Sequence, residues 1–331
     1  MALPVQSVVA DLSTLLADVV PRLARIAAFI AAGVFAANVA VAFGLVRYVA
    51  GVAGWLTRPA NLPDEVGTAI LTTAASTTAG YATLAEYRES GFLDDRATLV
   101  AVVINTFFGF VQHVFTYYVP VLIPILGVTT GAVYVGARAG IALLITVTGV
   151  LAGGLLLSET NVDRSALADV DATGPDADDR TARERVRDAA GTSWGTLRRI
   201  VPRLAVVYTL VIWIVASYDV AALTSVAEPI TGVLGLPGAA VPVIAVFTLD
   251  TTAGAVTLAE TEVGIFTTRT AVASLLIGSI LSFAVSTFRR SIPFQYGIWG
   301  ASFGTKVIAV NTGLKLVFIA ATVALLLAPV W

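Results

Sequence analysis

Apolar runs separated by short charged clusters set the layout of this chain. Residues 24–45 carry one charge, at Arg25, and residues 141–157, 205–217 and 316–329 carry none. A helix rising ~1.5 Å per residue needs about 20 such residues to cross the ~30 Å hydrocarbon core of a bilayer, so these runs predict spanning helices. At the start of the chain the pattern changes: Val8, Val9, Leu12, Leu15, Leu16 and Val19 recur at helical spacing, with Asp11 and Asp18 among them. That spacing, with no basic cluster ahead of it, predicts an amphipathic helix lying on the membrane surface rather than a secretory leader.

The same order of elements is written twice. "TTAGYATLAE" at 77–86 returns as "TTAGAVTLAE" at 251–260, with eight of ten letters kept. "VPRLA" occurs at 20–24 and 201–205, and "NLPDEVGTAILTTAASTTAG" at 61–80 lies without a gap on "GLPGAAVPVIAVFTLDTTAG" at 235–254. Pro120, Gly127, Gly131 and Gly140 match Pro293, Gly300, Gly304 and Gly313 at a constant offset of 173. Repetition in a matched frame predicts two homologous membrane halves, 5–157 and 186–331, joined by a polar, Asp-rich linker at 158–185.

Each half reads as a surface helix followed by five segments. A spanning helix is expected at 23–49 and 203–223, and a segment too interrupted to be an ordinary span at 62–89 and 236–263. Further spans are expected at 96–116 and 269–288, Pro/Gly-broken stretches at 120–136 and 293–309, and last spans at 138–157 and 311–330. Both ends of the first interrupted segment are charged (Asp64, Glu65; Glu86, Arg88, Glu89) while its middle is small and hydroxylated, as in a re-entrant hairpin.

Three full spans per half would turn the second half upside down relative to the first. Short cytoplasmic loops accumulate Arg and Lys, so the arginines arbitrate. The inverted arrangement puts Arg47, Arg58, Arg88, Arg96, Arg198, Arg199, Arg203, Arg289 and Arg290 on one side and only Arg22, Arg25, Arg138 and Arg269 on the other. Parallel halves give no such bias, so inverted repeats are expected.

Composition agrees with a membrane address. Hydrophobic residues make up 57% and charged residues 13%, against roughly 25% charged in soluble domains, and the mean hydropathy is +0.87. The expected fold class is an all-α, multi-pass integral protein of the cell membrane, with the lipid bilayer as its first partner. Near-neutral charge speaks against nucleic acid as a partner. A preference for Arg over Lys and the Asp-, Ala- and Thr-rich linker point to a salt-adapted, archaeal type of source.

Catalytic parts are missing from the inventory: there is no Cys and one His, and no zincin, nucleophile-elbow or P-loop motif, so the chain is not expected to be an enzyme, to hold a cofactor or to carry a metal site. The chemistry is expected at the paired interruptions instead. A helix break in lipid strands backbone polar groups that protein, water or a guest must satisfy. Secondary transporters place such breaks at equivalent points of two halves to build a midplane site. Thr77, Thr78, Thr251 and Thr252 offer hydroxyls there, and Gly80 and Gly254 permit a tight turn or a close backbone approach. Asp250, where the first half has Ser76, follows an apolar flank; it is a candidate to carry a coupling proton or hold Na+, or else it caps the next helical turn. Glu86 and Glu260 end the two decapeptides and either ligate an ion or sit in solvent. Asn105, in "VVINTFFGF", is a mid-span amide that binds a solute or joins two helices.

Duplicated halves built around "LP…TTA..TTAG…TLAE" resemble the nucleoside-recognition, or Gate, domain membrane proteins, a family that includes the bacterial spore maturation proteins. The resemblance covers nearly all of the chain outside the linker. It implies kinship with the core of concentrative nucleoside transporters, where re-entrant hairpins and broken helices hold a nucleoside and a coupling cation. Carried over, the matching positions are Thr77, Thr78 and Gly80 on one tip and Asp250, Thr251, Thr252 and Gly254 on the other. No aromatic clamp or Asn/Gln/Glu set for base and ribose matches, and the absence of Cys disfavours the iron passage of other Gate-containing permeases. Two readings stand at this stage: an ion-coupled secondary transporter of a small polar solute, or a membrane scaffold or lipid-handling protein, able to self-associate, in which the breaks serve packing.

Overall fold

The computed structural model describes residues 57–169, 181–217, 231–261, 264–287 and 291–328, with isolated positions between 20 and 55. In chain order its helices are α1 (Asp64–Ala75), α2 (Thr77–Glu89), α3 (Asp95–Leu126), α4 (Val128–Leu156), α5 (Ala182–Ser217), α6 (Ala240–Leu249), α7 (Thr251–Ala259), α8 (Thr268–Ser286) and α9 (Ile292–Leu327). Among the described residues three helices, α3, α4 and α9, are long and apolar enough to cross a membrane, so the protein is an all-helical membrane protein. Helix α8, expected as a span at 269–288, is an apolar helix of 19 residues, about 28 Å long. The surface helix expected at the start of the chain, and most of the span expected at 23–49, lie outside the described residues.

Each interrupted segment folds as two short helices joined by a single extended residue. Ser76 (φ −146°, ψ 107°) joins α1 to α2, and Asp250 (φ −148°, ψ 119°) joins α6 to α7. Both side chains cap the helix they precede: the Ala79 N–H donates to Ser76 Oγ at 3.3 Å and the Ala253 N–H to Asp250 Oδ1 at 2.8 Å. Such caps satisfy amides that the break sets free. With 12 residues in α1 and 10 in α6, these arms reach only about 18 and 15 Å, short of a bilayer core.

The break falls ahead of Thr-Thr-Ala-Gly rather than within it. Gly80 and Gly254 therefore sit inside α2 and α7, where they serve close packing and not the turn. A methyl group added at Gly80 would stand 1.8 Å from Thr73 Oγ1 and 2.7 Å from the Thr73 amide nitrogen; at Gly254 it would stand 2.3 Å from Phe247 Cβ. Only hydrogen in place of a side chain lets the two arms of each hairpin meet backbone to backbone.

Helix α3 runs past the span expected at 96–116. It is interrupted at Asn105, and over Val114–Leu122 it widens into a π-helix that contains Pro120. The broken stretches expected at 120–136 and 293–309 shrink to single glycines: Gly127 (φ 78°, ψ 161°) and Gly300 (φ 72°, ψ 165°). No β-carbon tolerates that conformation easily, so these two glycines act through backbone freedom. Beyond them, α4 and the rest of α9 are continuous and begin earlier than the expected last spans. In the second half, the surface helix and the span expected at 203–223 are one continuous helix, α5, which contains Pro202.

Polar contacts show where the ends lie. Asp95, at the start of α3, pairs with Arg88 Nε at 2.8 Å and with Lys306 Nζ of α9 at 3.0 Å. Arg269, near the start of α8, donates to the Leu326 and Ala328 carbonyls at 2.8 and 2.7 Å. Residues 306 and 326 are about 30 Å apart along the part of α9 that follows Gly300, so α3 and α8 begin at well-separated levels of that part. The first part of the expected linker is not free: Asn161 Nδ2 donates to Asp94 Oδ2 at 2.7 Å and Val162 bridges Leu93. Two large apolar clusters and one small one, around Leu236, Ala240 and Ala273, fill the bundle among the described residues. One large cluster gathers the first hairpin around Phe92, Phe108, Trp299 and Phe303; the other gathers the second hairpin around Tyr134, Phe247, Leu275 and Leu276.

Overpacking of this kind costs roughly 1–3 kcal/mol. Gly80→Ala and Gly254→Ala are each expected to lower the thermal midpoint of the detergent-solubilised protein, whereas Gly140→Ala, with open space at its β position, is expected to leave it unchanged. Equal midpoints for all three variants would contradict the hairpin packing.

Candidate functional site

Both hairpin tips reach the same stretch of α3. Thr77, the first residue of α2, hydrogen-bonds through its hydroxyl to Gln112 Oε1. Across the bundle, the Tyr117 hydroxyl lies 2.9 Å from Thr251 Oγ1 and 2.9 Å from Thr252 Oγ1, at the start of α7. Tyr117 belongs to the π-helical stretch, and π turns displace side chains from the faces an α-helix would give them, frequently at functional sites.

Beside this junction is a cavity of about 260 Å³. The hydroxyl tip residue Thr77 lines it, with Asn105, Thr106 and His113 of α3, Arg138 of α4, and Asn311 and Lys315 of α9. Asn105 is 1% exposed, and neither its amide nitrogen nor its oxygen has a hydrogen-bond partner among the described residues. Its backbone surroundings, in contrast, are satisfied. Thr146 Oγ1 of α4 donates to the Ile104 carbonyl at 2.9 Å and accepts from the Phe107 N–H at 3.1 Å, taking over the bonds that the interruption opens. A buried amide with four unmet bonds is costly, and native structures keep few of them.

Two cations share the cavity. Arg138 Nε and Nη2 donate to the Tyr118 hydroxyl at 3.3 and 3.1 Å. Its guanidinium and the Lys315 ammonium each lie 5.8 Å from the Phe283 ring centroid, within cation–π range. No Asp or Glu lines the cavity among the described residues. Asn105, Arg138 and Lys315 each stand at least ten residues from either end of their helices, a depth of about 15 Å or more.

The residues expected from sequence divide into three groups. Thr77 and Asn105 line the cavity, and Thr251 and Thr252 stand at the tip bonded to Tyr117. Asp250 is half-buried and caps α7, while Gly80 and Gly254 lie buried within the hairpins. Thr78 and Glu86 are exposed, and Glu260 is half-buried at the end of α7.

Sequence reasoning missed Gln112, Tyr117, Arg138 and Lys315. The expected last span begins at Arg138 and so puts it at the membrane edge; the structure puts it within α4, because that helix starts at Val128. Lys315 carried a signal that could have been used, since it is a charge inside an expected span. The hydrogen bonds of Gln112 and Tyr117 had no sequence signal at all.

Comparison with known proteins finds relatives but no function. Over 296 residues, 88% of this chain and 89% of the relative, it is 25% identical to an uncharacterised protein of the archaeon Methanocaldococcus jannaschii. A second uncharacterised protein of that organism is 22% identical over 317 residues, 94% of this chain and 99% of the relative. No family model matches, and no solved structure does.

Tyr117→Phe removes both hydroxyl bonds from the second tip. Backbone amides of Thr251–Ala259 are expected to exchange with deuterium about 5–30-fold faster, the equivalent of ~1–2 kcal/mol of local stability. Unchanged exchange would mean that apolar packing alone holds the tip.

Proposed function

We propose that this protein is a secondary transporter of a small polar solute, with its site in the cavity beside the two hairpin tips. The observation that carries this reading is the buried Asn105 amide, unpartnered among the described residues and set at mid-depth in a cavity that the Thr77 tip also lines. In a protein that needed only a sealed bundle, an apolar side chain at this position would avoid the cost of stranding that amide.

Three further features support it. The paired breaks at Ser76 and Asp250 have nearly the same backbone angles, as do those at Gly127 and Gly300. Helices α3 and α8 start about 30 Å apart along the part of α9 that follows Gly300, as halves of inverted orientation would. Arms too short to span fit re-entrant hairpins, and inverted repeats with broken helices meeting at the midplane are a recurring transporter plan. The Gate-family resemblance belongs to the same reading.

In this mechanism the tips and the π-helical stretch form the joint that opens to either side of the membrane. The Thr77–Gln112 and Tyr117–Thr251/Thr252 bonds tie each hairpin to α3, and releasing one set at a time would expose the cavity to one face. Asp250 is the candidate for coupling to Na+ or H+, because it places a carboxylate at the tip where the first half has Ser76.

Asp250→Asn tests the coupling role without removing the cap, since Asn is an equally good N-cap. In proteoliposomes the variant is expected to fold normally and lose ion-driven accumulation while retaining exchange of solute down its gradient. Transport with unaltered ion dependence would remove Asp250 from the mechanism. If no solute of a broad panel is taken up or exchanged by the wild-type protein, the scaffold reading takes its place.

A further inference from the structure

The transport reading leaves the chemistry of the solute open, and the cavity narrows it. Arg138 and Lys315 converge on the ring of Phe283 from separate helices, and no carboxylate lines the cavity among the described residues. Two like charges at membrane mid-depth are expensive unless an anion joins them. The aromatic face offsets part of that cost, but it cannot neutralise either charge. Lys315 forms no hydrogen bond or ion pair among the described residues, while the Arg138 fork spends two of its donors on Tyr118 and keeps others for a guest. Asn105 adds both a donor and an acceptor that have no partner among the described residues.

Taken together these groups describe a complement. Two cations call for negative charge, and a guanidinium fork suits a carboxylate. The Asn105 oxygen calls for a donor on the guest, which an inorganic anion such as chloride lacks. An amino acid would supply that donor as an ammonium, yet would then place a third cation beside Arg138 and Lys315. The volume of about 260 Å³ lies just below the ~300–1,000 Å³ usual for small-molecule sites, which leaves room for a compact guest.

We propose that the solute is a small hydroxylated carboxylate, its carboxylate held between Arg138 and Lys315 and its hydroxyl set against the Asn105 amide. This rests on the transport reading for the access of the solute, and it adds the class of compound carried. Recognition is then electrostatic at one end and directional at the other. A neutral polyol meets the cations without a charge, and a purely apolar acid leaves Asn105 unsatisfied.

The test uses the full chain, purified in detergent for binding and reconstituted in liposomes for uptake, with L-malate, L-lactate, inorganic phosphate and uridine as probes. Malate or lactate is expected to raise the thermal midpoint and to be taken up. Arg138→Gln and Lys315→Met are each expected to weaken that binding about tenfold or more, as the loss of one charge-assisted contact does. Folding is controlled by the direction of the change without ligand. Lys315→Met removes an unneutralised charge and is expected to raise the midpoint of the empty protein. Asn105→Asp, which supplies the missing negative charge from within, is expected to raise it too while abolishing the malate shift. Unaltered malate binding by Asn105→Asp would overturn the proposal, and so would phosphate acting as strongly as malate. Uptake of uridine without any response to malate or lactate would overturn the anion assignment and leave the transporter reading standing. No binding and no uptake of any probe, in a panel extended to amino acids and nucleobases, would remove both.

Discussion

Backbone polar groups cannot be left bare in a bilayer, and this structure is organised around the places where its helices stop supplying their own partners. Each interruption has its own remedy. Ser76 and Asp250 cap the helices that follow them. Thr146, from a neighbouring helix, closes the gap around Asn105. Gly127 and Gly300 absorb a change of direction that no other residue takes easily. The hairpins can then be short, because their free amides are answered locally and their arms are drawn together at Gly80 and Gly254. Once short, they end inside the bundle, where Gln112 and Tyr117 meet them. Removing the cap at Ser76 or Asp250 would do more than unwind a turn: it would loosen a tip from its contacts with α3.

Against that general thoroughness, the exceptions acquire meaning. Among the described residues the Asn105 amide has no partner and no carboxylate faces the Arg138–Lys315 pair, in a molecule that satisfies main-chain groups at its breaks, and all three residues line one cavity. A bundle selected for stability alone would fill this space with apolar side chains. On the proposed reading, a charge that no carboxylate faces among the described residues is a form of stored destabilisation that a guest would relieve, so affinity for a solute and the cost of the empty state would have a common origin. That link separates a binding site from a packing defect, since a defect has no compound that repairs it.

Much of the architecture was legible from the order of residues. Apolar run length gave the membrane class, and the duplicated Thr-Thr-Ala-Gly frame located both hairpins, since helix breaks leave local marks in small, hydroxylated and glycine residues. The exact point of each break stays open in the sequence, between the glycine and the residue ahead of the threonines; capping by Ser76 and Asp250 decides it, and the glycine four residues later serves close approach. Span boundaries also slipped. Pro120 looked like a stop, yet a widened π turn carries it, and Arg138 looked like the edge of a span, although helix α4 starts ten residues before it.

What the chain by itself determined, then, is the membrane class, the helical character and the two segments in which helices give way. These depend on hydropathy, periodicity and local backbone preference, which neighbouring residues settle among themselves. Tertiary structure alone decided that Thr77 and Thr251 bond to residues five apart on one helix, that Asn105 has no partner among the described residues, and that Arg138 and Lys315 face one aromatic ring. A hydrogen bond or a charge is satisfied or stranded only by what lies across from it in space, and residues far apart in the chain supply that.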